Sequence, residues 1–183
     1  KDQGWVFEVP AGTEPGLTVP RPIRAMGRFY HEAVAIDPAS GTVYMTEDRK
    51  DGLFYRFLPK TPGKLHEGGR LQALGLQDKG LVDTRNWDRN RVSPRQPLPV
   101  RWLDMDDVES PRDDLRNRGY RAGAARFARG EGLWWGDREA YFACTSGGRS
   151  QSGQIWRYRP SPQEGTDDEK SEPGQLELFV EPN

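Results

Sequence analysis

The stretch 31–59, HEAVAIDPASGTVYMTEDRKDGLFYRFLP, is repeated almost strand for strand by 130–160, GEGLWWGDREAYFACTSGGRSQSGQIWRYRP, and that repetition decides the fold. Glu131 falls on Glu32, GDRE on DPASG, and GQIWRYRP on GLFYRFLP, with Gly153 on Gly52, Arg157 on Arg56 and Pro160 on Pro59. The lead-ins GRFYHE and ARFARGE match with one residue inserted, and Thr145 and Ser146 fall on Glu47 and Asp48. Within the first copy, two β-branched or aromatic runs flank DPASG, where Pro38 presets a turn dihedral and Gly41 can take a positive φ. GLFYRFLP reads as a third strand stopped by Pro59, and GRLQALGL as a fourth. Three or four consecutive antiparallel strands form the unit of a propeller blade, and self-similarity of this kind marks a repeat architecture.

The expected fold is therefore all-β: antiparallel β-meander blades of a partial β-propeller, in one domain over 1–183, with repeat units at about 27–59 and 125–160. GWVFEVP at the start reads as a further strand with no n-region or h-region before it, so the chain is expected to begin inside structure. Loop 83–99 is polar and held out of helix by Pro94, Pro97 and Pro99, and VRWLDM after it suits a strand. SPRDD opens like a helix, which places one short helix near 111–127, weakened by glycines. PSPQEGTDDEKSEPGQ is low in hydrophobicity and predicts a mobile loop over 161–174, followed by a last strand in LELFVEPN. A propeller closes on about four to eight blades, so this length is short of a ring. Open blade edges are pairing hazards, and either self-association through them or a longer parent is expected.

Composition narrows the function. Lys+Arg 27 against Asp+Glu 28 leaves a formal net charge of -1, so no global field draws nucleic acid or an anionic membrane. No apolar run approaches the ~18 residues of a membrane-spanning helix. One cysteine, Cys144, excludes an intrachain disulfide. It lies in the apolar YFACTS and is expected to act as a small hydrophobe. The six tryptophans suit packing between blades. Neither RGEG nor TSGG carries the lysine of a phosphate-cradling loop.

The chemistry gathers just before the first strand of each repeat. In a propeller those positions converge on the channel mouth, so Glu32 and Glu131 are expected to face one space. Carboxylates brought together repel unless cations intervene, and hard cations such as calcium or ferric iron answer that conflict with oxygen coordination. Arg129, two residues before Glu131, offers a planar donor fork suited to phosphate or carboxylate. The competing reading is that both glutamates make surface ion pairs with neighbouring arginines. Glu47 and Asp48 of MTED are either calcium ligands or a solvated turn at the opposite rim. His31 should face away from Glu32 and serve packing, and His66, in a polar turn, should be exposed.

HEA, TED, RGEG and TSGG, in that order with aromatic strands between them, resemble the core motifs of the PhoX-type alkaline phosphatases, bacterial β-propeller proteins, from Gly4 to about Val180. The resemblance implies hydrolysis of phosphomonoesters with a cluster of Ca2+ and Fe3+ ions, in a protein exported by the twin-arginine route to the periplasm or beyond. It carries Glu32 and Glu131 over as metal ligands and Arg129 as the group that holds the phosphate. Metals in such a site polarise phosphoryl oxygens and orient a nucleophile, while arginine balances the developing charge. The family's iron-ligating cysteine lies upstream of HEA, so Cys144 does not match it, and the upstream part and a downstream acidic segment are absent. The chain is thus expected to be a central piece of such an enzyme that need not be active alone. The alternatives are a noncatalytic calcium-binding propeller module and a propeller lactonase or esterase, for which Arg129 would have no anion to hold.

Overall fold

A computed structural model describes residues 3–12 and 16–182; the extreme ends of the expected 1–183 domain lie outside the described residues. The first repeat forms β1 (His31–Ile36), β2 (Val43–Glu47), β3 (Phe54–Pro59) and β4 (Gly69–Leu76). β5 (Leu98–Asp104) and the short helix α1 (Leu115–Arg121) follow. The second repeat forms β6 (Gly130–Gly136), β7 (Glu139–Cys144), β8 (Gln154–Arg159) and β9 (Gln175–Val180). The pairings among these strands are antiparallel, in the order β1-β2-β3-β4-β5-β9-β8-β7-β6, and β6 lies beside β1 and β2 so that the sheet nearly closes. The architecture is all-β and propeller-like, with α1 inside the span expected for a short helix.

Turn chemistry sets the hairpins. Between β1 and β2, Asp37 accepts from Ala39 N–H and from the Ser40 hydroxyl, and Gly41 takes φ 75° against Pro62. Between β6 and β7, Asp137 and Arg138 both take positive φ, as a two-residue primed turn requires.

Both faces of the first unit are covered, which is why every residue of β2 is buried. Tyr44 and Phe54 face the second unit, where Phe54 stacks on Phe142 with ring centroids 4.3 Å apart beside Trp156 and Tyr158. Val43, Met45, Tyr55 and Phe57 face the other way and are capped by Ile23, Met26, Phe29 and Leu115. Period-two alternation thus supplies two cores from one sheet.

The repeats share their register, with Tyr44 opposite Arg56 and Tyr141 opposite Arg157, yet their surroundings differ. Arg56 is enclosed between the units, whereas Arg157 lies on the outward face, paired with Glu177 at 2.7 Å. Blades that stack in a common direction do this: the Arg56 face of one meets the Trp156 face of the next.

Several expectations need correction. GWVFEVP forms no strand, only a bridge between Phe7 and Pro22, because no neighbouring strand is available to pair with it. The residues equivalent to Glu47 and Asp48 are Cys144 and Thr145, since His31 faces Glu47 and Gly130 faces Cys144; the additional residues of the second copy fall in its longer β7–β8 loop. Segment 161–174, expected to be mobile, is docked. Its Glu164 accepts from the Tyr44 and Tyr158 hydroxyls and meets Arg56 Nη1 at 2.6 Å, while Glu169 receives Arg56 at 2.6 and 2.7 Å. Its anchors are charged, so low hydrophobicity concealed them. His66 is half-buried, 3.7 Å from Glu8.

Candidate functional site

The two rim glutamates sit on irregular backbone. The β1–β2 register shifts between His31 and Val34, and the β6–β7 register shifts between Gly130 and Leu133. Each shift frees one glutamate from regular alternation and re-aims it, as bulges beside functional sites do. Gly130 permits the approach of β6 to β2: a Cβ there would lie 3.1 Å from Thr46 Cβ and 3.2 Å from Glu47 O.

Arg129, with φ 58°, projects from the residue before β6. Its Nε donates to Asp48 Oδ1 at 2.8 Å and its Nη2 to Asp48 Oδ2 at 2.9 Å, a two-pronged pair, and Nη2 also reaches Glu131 Oε1 at 3.0 Å. Among the described residues, Nη1 has no hydrogen-bond partner, and the side chain is 40% exposed, so one edge of the fork stays open to an incoming anion. The carboxyl of Glu131 lies beside that of Glu32 and is pushed above the usual carboxylate range, first by burial, then by the charges of Asp48 and Glu32, with Arg129 opposing. Two carboxylates, Asp48 and Glu131, thus share one guanidinium, with the charge of Glu32 nearby.

Glu47 behaves differently. It is 1% exposed, and its Oε2 accepts from Leu53 N–H and the Tyr55 hydroxyl, both at 3.1 Å. Its Oε1 is buried without a hydrogen-bond partner, 3.9 Å from Arg116 Nη1. Burial pushes its pKa up to about 7, against the pull of Leu53 N–H, Arg116 and Tyr55. The fold therefore unites Glu32, Glu131, Arg129 and Asp48 and turns Glu47 into its own blade. His31 stacks on Phe29 with centroids 3.6 Å apart, and burial lowers its pKa to about 4, so it is a neutral packing residue. Cys144 is fully buried, and burial raises its thiol well above the ordinary range.

Sequence reasoning passed over the second row of charges. Arg116 on α1 reaches Asp51 at 3.1 Å and Asp113 at 3.0 Å, and Arg49 reaches Asp113 at 2.9 Å while stacking on Tyr30. Only the helix-start pattern hinted at it, because the Arg49–Asp113 and Arg116–Asp51 partners lie 64 and 65 positions apart in the chain.

The donor set suits a hard cation in kind but supplies only part of its coordination. Glu32 and Glu131 offer converging carboxylate oxygens, Asp48 is committed to Arg129, and among the described residues no three His, Cys, Asp or Glu side chains form a metal-binding group. Calcium takes about six to eight oxygens, so further ligands must come from outside this set. Among the described residues, no helix is long and apolar enough to cross a membrane.

Comparison with known proteins bears on this geometry. The family model described as Alkaline phosphatase PhoX matches residues 1–181. The solved structure of Pseudomonas fluorescens PhoX in complex with vanadate, a transition state analogue, is 21% identical and superposes with a TM-score of 0.59, covering 97% of this chain and 35% of that one. This chain therefore spans about a third of that protein's length. No curated protein matches the sequence.

Proposed function

Because the chain belongs to the PhoX alkaline phosphatase family, we propose that it carries part of a metal-assisted phosphomonoesterase site. Glu32 and Glu131 hold the cations, calcium and ferric iron, and Arg129 receives the substrate phosphate. When bound, such cations would polarise the phosphoryl oxygens and supply a nucleophile. The observation that carries the reading is the open edge of Arg129, held by Asp48 beside two carboxylates in mutual contact. A guanidinium clamped on one side and open on the other meets an anion without reorganising, which favours charge developing in the transition state. Asp48 acts here by orienting Arg129; Glu47 becomes a calcium ligand only if its side chain leaves Tyr55 and Leu53. The phosphomonoester is the partner, the periplasm or the cell exterior is the working compartment, and copies or further blades meet at the open blade edges.

A second reading is favoured by the shortfall of ligands: a noncatalytic module that holds calcium. The test is hydrolysis of a generic phosphomonoester by this chain with and without Ca2+ and Fe3+, beside Glu131→Ala and Arg129→Ala, with calcium uptake followed by calorimetry. Metal-dependent turnover lost about 100-fold or more in both variants supports the phosphatase site. Calcium uptake without turnover favours the noncatalytic module, and absence of both overturns the metal reading. Lactone hydrolysis indifferent to Arg129→Ala would point to a lactonase or esterase.

A further inference from the structure

Thr46 occupies a place in the fold that neither the repeat nor the metal reading accounts for. It lies on β2, 1% exposed, at the meeting of the two units. Its hydroxyl accepts from Ala33 N–H at 3.0 Å and donates to Glu131 C=O at 2.7 Å. Ala33 follows Glu32 within the irregular segment of β1, and Glu131 lies within that of β6. An irregular register strands backbone groups that a regular ladder would satisfy, and a buried stranded group is costly. One hydroxyl, using its acceptor and its donor capacity together, satisfies one such group on each unit.

The internal repeat supplies a control. Thr46 stands opposite Phe54 on β3, and the corresponding residue, opposite Ile155 on β8, is Ala143. The equivalent position of the second unit therefore has no hydroxyl. A residue needed only to build the blade would serve both copies; the hydroxyl occurs in the copy whose β2 lies against β6.

We infer that Thr46 is a positioning residue: its hydroxyl ties the backbone of the Glu32 segment to that of Glu131 and sets the separation of the two carboxylates for a shared hard cation. The inference rests on the reading of Glu32 and Glu131 as cation ligands. Groups that orient metal ligands commonly change affinity by about 10–100-fold when removed. Thr46→Val keeps the shape and removes both hydrogen bonds, and Thr46→Ser restores the hydroxyl. The probe is Tb3+, a hard oxygen-seeking ion, followed by tryptophan-sensitised luminescence, with cooperative thermal unfolding as the check of folding. Thr46→Val is expected to weaken Tb3+ binding at least ~10-fold, Thr46→Ser to return it to within about threefold, and Glu131→Gln to abolish it. If the valine variant does not fold, Thr46→Ala, which copies the second repeat, replaces it. Undiminished binding by a folded Thr46→Val or Thr46→Ala overturns the role of Thr46 and leaves the cation site standing. Absence of Tb3+ binding in the unaltered chain, or binding indifferent to Glu131→Gln, overturns the cation site and the role of Thr46 with it.

Discussion

Replacing Glu47 with glutamine should change how stability depends on pH. In the folded chain the carboxyl is fully enclosed, with one oxygen held by Leu53 N–H and the Tyr55 hydroxyl and the other unpartnered near Arg116. Burial outweighs these partners and moves its pKa from 4.5 to about 7. The folded state therefore binds this proton more tightly than the unfolded chain does. Its stabilising contribution is fully present below about pH 4.5, fades as pH rises, and is gone above about pH 7. At about 1.36 kcal/mol per pH unit, the whole change is on the order of 3 kcal/mol, or roughly 6–12 °C in Tm for a chain of this size. Glutamine does not titrate and keeps an oxygen for Leu53 and Tyr55. Calorimetric melting of both proteins in chelator from pH 5 to pH 8 should show the unaltered chain losing Tm relative to Glu47→Gln as pH rises. A constant difference across that range would refute the reasoning, because it would mean that Glu47 ionises as an exposed carboxyl does. Calcium that restores the lost Tm at pH 8 in the unaltered chain alone would show Glu47 turning out to bind it.

Gly130→Ala should cost about 1–3 kcal/mol in urea denaturation, since its methyl would press on Thr46 and the backbone of Glu47; full native stability would show that β6 can withdraw at no cost. Arg56→Met leaves the enclosed carboxylates of Glu164 and Glu169 without their cation and should cost about 3–5 kcal/mol, largely recovered when both become glutamine. An unchanged denaturation midpoint for Arg56→Met alone would mean that segment 161–174 is held by other contacts.

Much of the fold was legible because strands announce themselves locally. GRLQALGL is β4 to the residue, AVAI lies in β1, and the VYMTE of TVYMTED is β2, since side-chain alternation and turn residues act over a few positions. GWVFEVP alternates equally well and is not a strand, because a strand is a relation between two segments and this one found no ladder to join. β5 begins at Leu98 and takes in Pro99, where β9 arrives beside it. The docking of 161–174 was hidden for a related reason: its hold depends on one arginine more than a hundred positions away.

By itself the sequence determined the strand-rich repeat, the equivalence of Glu32 with Glu131, and the presence of Arg129 beside them, all of which follow from short-range pattern and self-comparison. Only the tertiary structure decided which carboxylates share the space. Asp48 joined Arg129 and Glu47 turned inward, although the two are neighbours in sequence, because adjacent residues at a strand end point to opposite sides. It likewise decided that Thr46 bridges two irregular segments, reaching Glu131 across 85 positions of sequence, a contact that depends on how the sheet curls and leaves no trace in the local pattern.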